Sequence, residues 1–230
     1  MSSERKLCFI DSNRDMHITM VHKPESIKIS SMVDSFQWND GNDMLAAIAD
    51  GKLCCWHYPN AVYVDKDLMR QSMSSKDAHE VGKLSQMTNF SGSFCTVRRL
   101  DGCLLTLNVS PYPKILYEHV DKADFEKAIR LCRFVREHTL WACLAAMSIY
   151  CRELNTAEIA LAAIDEADKV QFINYIKELP SEPSRNAALA MYCKKVNEAE
   201  HILLQSKLYY RAIKMNIKLF RWDRALDIAI

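Results

Sequence analysis

Glycine is confined to the first half of this chain. All five glycines lie within the first 102 residues, and none follows. Because glycine supplies the positive φ that tight turns need, this distribution predicts hairpins in the first half and helices in the second. Two prolines in Ser110-Pro111-Tyr112-Pro113 are expected to block both helix and strand pairing. The chain is therefore predicted to comprise a β domain (residues 1–110) and a helical domain (111–230).

Short apolar runs bounded by turn residues indicate β-strands in the first half. The strongest hairpin signal is Asp50-Gly51, and Asp101-Gly102 repeats it fifty-one residues later, near the length of one propeller blade. The pattern predicts the last blades, about two, of a WD-type β-propeller. A plain antiparallel sandwich uses the same hairpins and stays an alternative. Strands are predicted at Leu7–Ile10, His17–Val21, Val33–Trp38, Met44–Ala49, Lys52–Trp56, Phe94–Leu100 and Cys103–Val109, with an exposed loop from Arg70 to Lys83.

The second half has the apolar periodicity of amphipathic helices, with Asp121 or Asp124 as the first N-cap. An aromatic residue followed three positions later by alanine recurs at Phe125, Tyr209 and Trp222. The small alanine allows close helix packing, so the pattern predicts a tetratricopeptide-like α-solenoid. Helices are expected at 121–135, 138–151, 155–164, 167–178, 184–194, 197–205, 207–218 and 221–230.

Both ends of the sequence are expected to be interrupted elements: a propeller with too few blades and a solenoid without a polar capping repeat. Such a chain is expected to aggregate or to require partners, because unpaired strand edges and uncapped repeats associate readily.

Composition narrows the function classes. Thirty basic and 29 acidic residues leave a net charge of +1, without the basic excess of most nucleic-acid-binding proteins, and no concentrated basic stripe is expected. The N-terminus does not have the pattern of a signal peptide, and the apolar run Thr139–Cys151 is too short to insert into a membrane. Nine scattered cysteines indicate buried thiols in a reducing compartment.

No catalytic, cofactor-binding or metal-binding residue is predicted from motifs, and no cofactor is expected. Cys95 and His119 could form a thiol–imidazole pair, but no motif selects them, and Ser91-Gly92-Ser93 lacks the flanking glycines of a nucleophile elbow. Two sets of residues could bind partners, although core packing and a solvated face are the expected roles: an aromatic set (Phe125, Trp141, Tyr209, Tyr210, Trp222) and a basic set (Lys194, Lys195, Arg221, Arg224).

Long segments resemble one known family. Residues 111–150, 156–181 and 197–230, together with FIDSNRDMHIT, FQWND and WHYPNAVYVDKDL in the first half, closely resemble the family of the intraflagellar transport complex B subunit of about eighty kilodaltons. The resemblance implies WD-repeat propellers followed by tetratricopeptide-like helices, no catalytic residues and a part in the trains that motors carry along cilia. The resemblance implies that this sequence corresponds to the end of the second propeller and to part of the helical region, without the first propeller and the C-terminal helical tail.

The resemblance therefore predicts a non-enzymatic scaffold needed for cilium assembly. Its expected partners are other complex B subunits, with self-association possible and neither nucleic acid nor membrane insertion involved. Its expected location is the cytoplasm and the cilium, including the ciliary base and axoneme. Vesicle-coat subunits share the propeller-then-solenoid order, so a coat scaffold is one alternative, and a thiol hydrolase with an unrecognised site is another.

Overall fold

The computed structural model describes residues 5–21, 25–82 and 84–230. In the described part of the first half, ten strands form three antiparallel sheets. The first sheet has three strands, the second has four and the third has three, in the orders β1-β2-β3, β4-β5-β6-β7 and β10-β9-β8. The strands are β1 Lys6–Ile10, β2 Met16–Met20, β3 Ile27–Ser30, β4 Val33–Trp38, β5 Leu45–Ala49, β6 Lys52–Trp56, β7 Met73–Asp77, β8 Gln86–Ser91, β9 Phe94–Arg98 and β10 Leu104–Asn108.

Both predicted hairpins are present and occupy equivalent places. The β5–β6 hairpin turns at Asp50 and Gly51, whose φ angles are both positive, at 49° and 72°. Positive φ at both central residues is the requirement of the two-residue turn that Asp-Gly favours. The β9–β10 hairpin closes through a longer turn containing Gly102. Each hairpin supplies the second and third strands of its sheet, as expected of repeated blades.

Side chains join the second and third sheets. Ser35 on β4 donates to the backbone oxygen of Ser85 and accepts from the Met87 amide, both at 2.9 Å. Asn39 follows the same strand and donates to the Gly92 oxygen at 3.0 Å. These bonds hold β8 beside β4, so that the first strands of successive sheets are neighbours.

The exposed loop predicted for Arg70–Lys83 is wrong for much of its length. A short helix, α1 (Lys66–Gln71), overlaps its start, and β7 follows as the outer strand of the second sheet. Ala78 and Val81 are buried, while Lys83 lies outside the described residues. The strand residues of β7 are polar because that strand forms the sheet edge, and edge strands show little apolar alternation.

Nine helices follow the last strand in the described chain. They are α2 Tyr112–Asp121, α3 Phe125–Val135, α4 His138–Tyr150, α5 Leu154–Ala163, α6 Ala167–Glu178, α7 Glu182–Tyr192, α8 Val196–Gln205, α9 Tyr209–Lys218 and α10 Trp222–Ala229. Seven of the eight predicted helices are found within two residues of their expected bounds. The helix predicted at 121–135 begins only at Phe125, where the Asp124 carboxylate caps it by accepting from the Lys127 amide.

Helix α2 was missed because of its prolines. Pro111 is its N-cap residue and Pro113 lies in its first turn. Proline is tolerated there because the first amide groups of a helix have no partner within it. The two prolines therefore start a helix in this chain, where they were expected to block one.

The core spans both halves. Helix α4 is buried on all sides from Leu140 to Ile149. Helix α1 and a preceding short 3-10 helix (Pro59–Tyr63) pack against α4. A single hydrophobic cluster includes buried residues of the sheets and of α2 to α7. The division into domains 1–110 and 111–230 thus stays a prediction.

Candidate functional site

Polar side chains join the sheets to the helices at their junction. The Tyr117 hydroxyl of α2 lies 3.0 Å from the backbone oxygens of both Asp43 and His57, which belong to the second sheet's connections. The Asp43 carboxylate in turn accepts hydrogen bonds from the side chains of Lys6 and Asn60. Tyr117 is buried, so these bonds satisfy a hydroxyl that burial would otherwise penalise.

A second polar cluster joins α1 to the solenoid. Lys169 on α6 lies 2.8 Å from the Asp65 carboxylate, and the Tyr192 hydroxyl on α7 donates to the same oxygen at 2.9 Å. Gln71 donates to Glu166 at 2.6 Å. Burial alone would raise the pKa of Asp65, but hydrogen bonds from Lys169, the Asp67 amide and Tyr192 outweigh it and lower that pKa. The cluster fixes the orientation of α6 and α7 relative to α1.

Cys95 and His119 lie on different elements, and the Cys95 thiol is not activated. Cys95 is fully buried in β9, and burial raises the pKa of its thiol to about 12. His119 lies near the end of α2, where its backbone oxygen accepts from the Asp124 amide. A thiol that stays protonated at neutral pH is a poor nucleophile.

The structure contains a different cysteine–histidine contact that no motif indicated. The Cys55 sulfur lies 3.6 Å from His57 Nδ1, and His57 Nε2 lies 2.9 Å from the Ser74 hydroxyl. Burial raises the pKa of Cys55 and lowers that of His57 to about 4. Both groups are therefore neutral at pH 7, and their contact serves the packing of β6 against β7.

The aromatic set divides into buried and exposed members. Trp141 is buried and Phe125 packs against the core, as core packing predicts. Tyr209, Tyr210 and Trp222 are 52%, 75% and 58% exposed, so the core interpretation is wrong for these three. The paired alanines Ala128, Ala212 and Ala225 are all buried. The aromatic–alanine motif therefore correctly predicts that its alanine is buried. Its aromatic ring is half-buried only at Phe125 and is exposed at Tyr209 and Trp222.

The basic set is mostly engaged within the chain. Arg224 donates to the Glu200 carboxylate at 2.8 Å, Arg221 to Asn197 at 3.2 Å, and Lys195 pairs with Glu198 at 3.5 Å. Burial would raise the pKa of Glu200, but hydrogen bonds from Arg224 and Asn216 lower it. An open cavity of about 670 Å³ lies beside this network, lined by Asn197, Glu200, Phe220, Arg221, Trp222, Asp223 and Arg224.

One group of side chains has metal-ligand chemistry. Asp11, Asp15 and His17 bring ligand atoms within 4.8 Å of one another. Asp11 already accepts from the backbone amides of Asn13 and Asp15, and Lys28 lies 2.5 Å from the Asp15 carboxylate. The amide bonds stabilise the β1–β2 turn, and Lys28 offsets the negative charge of Asp15 that would attract a cation. Across the described residues, no helix combines the length and apolar character required to span a membrane.

Comparisons with known proteins account for both halves. Residues 1–112 match the family model of the IFT80 second beta-propeller, and residues 140–230 match that of the IFT80/172/WDR35/WDR19 TPR domain. The intraflagellar transport protein 80 homologs of Rattus norvegicus and Mus musculus are 46% and 44% identical to the chain over its whole length. Both halves of the chain are thus similar to IFT80 domains, in the order propeller and then TPR domain. The sheets are accordingly propeller blades, and the sandwich alternative is wrong.

The IFT80-family match covers the whole chain but only part of its relatives. The chain spans 30% of the length of the two homologs. A more distant relative, the intraflagellar transport protein 172 homolog of Rattus norvegicus, is 24% identical over 97% of the chain and 13% of its own length. Among the described residues the strands form three sheets, one of which has four strands, whereas about two blades were predicted.

Proposed function

We propose that this chain is a non-catalytic docking subunit of the intraflagellar transport B particle, which acts in cilium assembly. The observation that carries the proposal is the 44–46% identity to intraflagellar transport protein 80 homologs along the entire chain. The order of blades followed by a helical array supports it, because both architectures present broad surfaces for protein binding.

The mechanism of this scaffold is multivalent docking. The blade surfaces and the solenoid surface each contribute modest affinity, and a fixed geometry between them raises the effective concentration of the second contact once the first has formed. The bonds of Tyr117 and the Asp65–Lys169 cluster hold the two surfaces in one relative orientation. The junction thus serves assembly by setting the angle at which bound partners meet.

The buried cysteines are poorly suited to act as nucleophiles. Burial raises the pKa of the Cys55, Cys95 and Cys132 thiols, the last two to about 12, so they remain protonated at neutral pH. This supports a binding role over the hydrolase alternative. The partners of the scaffold are other complex B subunits, and its sites of action are the cytoplasm, the ciliary base and the axoneme.

The deciding experiment is affinity purification of the tagged chain from ciliated cells, with the recovered proteins identified by mass spectrometry. A tagged propeller from an unrelated protein serves as the control. We expect several complex B subunits to be enriched with the chain and absent from the control. Recovery of vesicle-coat subunits, or of no transport subunit by a chain that is folded by circular dichroism, would contradict the proposal.

A further inference from the structure

Helix α9 presents an uncovered stripe of mixed aromatic, aliphatic and basic character. The stripe consists of Tyr210, Lys214, Ile217 and Lys218, which are all exposed. Their spacing of four, seven and eight residues places them on one face of the helix. Lys214 Nζ lies 6.0 Å from the centre of the Tyr210 ring, a cation–π distance that orders the two side chains.

The opposite face of α9 explains why the stripe is free. Ala212, Met215 and Asn216 are buried and pack α9 into the smaller hydrophobic cluster of the C-terminal helices. Asn216 also donates to the Glu200 carboxylate at 3.0 Å. The helix is therefore anchored by one face, and its other face keeps Tyr210 75% and Ile217 42% exposed.

The sequence segment that carries the stripe has charges of one sign. Residues 202–222 contain no aspartate or glutamate but five basic residues, Lys207, Arg211, Lys214, Lys218 and Arg221. In a chain of net charge +1 this is a concentrated basic segment, which corrects the expectation that there is none. Among the described residues, none of the ion pairs involves Lys207, Arg211, Lys214 or Lys218. Their charges are available to an external carboxylate.

We propose that the α9 stripe docks an acidic amphipathic helix of a partner protein. Tyr210 and Ile217 lie two helical turns apart, about 10 Å along the axis, and match the apolar ridge of a helix packed alongside. Lys214 and Lys218 lie between and beside them, where aspartate or glutamate next to the partner's apolar ridge would reach the ammonium groups. The inference deepens the proposed docking function and rests on it.

Charge also distinguishes this occupant from a second copy of the chain. A two-fold contact of the stripe with itself would set Lys214 and Lys218 against the same lysines, and like charges across an interface are unfavourable. An acidic helix pairs each lysine with a carboxylate. It also covers Ile217 and the Tyr210 ring, which the phosphates of a nucleic acid or of a lipid headgroup would leave in water.

The test measures binding of a designed peptide by fluorescence anisotropy. The probe is a fluorescein-labelled amphipathic helix with leucine along one face and glutamate elsewhere, and the 230-residue chain is fused to a soluble carrier. We expect saturable binding that weakens as salt screens the charges. The double substitution Lys214→Glu/Lys218→Glu should weaken it at least about tenfold. A peptide with glutamine in place of glutamate should bind the unaltered chain as weakly as the glutamate peptide binds the doubly substituted chain.

A matched variant controls for net charge. The control is Lys114→Glu/Lys122→Glu, which replaces one exposed lysine on α2 and another just after it and produces the same change in net charge. It should leave the affinity for the peptide within about twofold of that of the unaltered chain. Tyr210→Ser/Ile217→Ser tests the apolar part and should weaken binding at both low and high salt. Circular dichroism and thermal melting establish that each variant has the fold of the unaltered chain.

Several results would overturn the proposal. These are absence of peptide binding, equal weakening by both lysine pairs, or tighter lysine-dependent binding of phosphatidylserine vesicles or of single-stranded oligo(dT). The outcomes also separate this inference from the proposed function. If the Lys214→Glu/Lys218→Glu chain binds no peptide but still recovers complex B subunits from cells, docking stands and the stripe is not the surface used. If peptide binds but no such subunit is recovered, the stripe stands and the ciliary assignment fails.

Discussion

Burial decides the reactivity of individual cysteines in this chain. Cys103 and Cys151 are exposed, although partial burial raises the pKa of the Cys151 thiol, while Cys55, Cys95 and Cys143 are buried and have raised thiol pKa values. We expect N-ethylmaleimide at neutral pH to modify Cys103 first and Cys151 more slowly, and the buried three only after addition of denaturant. Mass spectrometry of tryptic peptides over time gives the order. Faster modification of a buried cysteine than of Cys103 would indicate an activated thiol and restore the hydrolase alternative.

His57 makes the stability of the fold depend on pH. Burial lowers its pKa from 6.5 to about 4, so between these values the unfolded chain binds a proton that the folded chain does not. Stability is therefore fully present above pH 6.5 and falls as the pH drops toward 4, by about 3 kcal/mol at 1.36 kcal/mol per unit.

Urea unfolding at several pH values between 7 and 4.5 measures this dependence. His57→Gln should flatten the slope, whereas His201→Gln, at an exposed position of α8, should leave it unchanged. An equal slope in the unaltered chain and in His57→Gln would assign the effect to other groups.

At the scale of single elements, several helices of the second half are followed by a residue in a strained conformation. The glycine-free half uses ordinary residues where the backbone turns left-handed after a helix, and Lys194, Lys207 and Phe220 do so at intervals of thirteen residues with φ between 56° and 59°. A residue with a Cβ pays a steric cost there that glycine avoids. Lys194→Gly and Lys207→Gly should each stabilise the chain by about 0.5–1 kcal/mol.

Thermal melting or urea unfolding measures the effect of these substitutions. Gln171→Gly, at an exposed position inside α6, is the matched control and should destabilise by about 1 kcal/mol. Destabilisation by glycine at positions 194 and 207 as well would show that the left-handed ends carry no strain.

The elements that sequence predicted are those with a strong local signal. Asp50-Gly51 determines its turn through two positive φ angles, and α4 is apolar on every side. Strand β7 and helix α2 were missed for local reasons too, since an edge strand can be polar and proline suits a first turn. The exposure of Tyr209, Tyr210 and Trp222 follows from tertiary packing, because their helical spacing is equally compatible with a core.

At the scale of the whole molecule, the junction determines whether blades and solenoid behave as one body. Asp65 caps α1 by accepting from the Asp67 amide, and it also meets Lys169 and Tyr192 of the solenoid. Its lowered pKa means that this stabilisation is present above the unfolded value near 3.9 and is lost as the pH falls through the folded value. Acid should therefore loosen the junction at a lower pH than that at which His57 acts.

Asp65→Asn tests the junction with little change of shape. Asparagine keeps the helix cap but removes the charge that faces Lys169, whose side chain is 16% exposed, so we expect a loss of about 2 kcal/mol. Hydrogen–deuterium exchange should rise in α1 and α6 before it rises in β5. Asp101→Asn is the matched control, because Asp101 also accepts a backbone amide and pairs with an arginine but is half exposed. Its effect should stay within about 0.5 kcal/mol. Unchanged exchange in α6 of Asp65→Asn would mean that the solenoid is held by the apolar contacts of α1 with α4 alone.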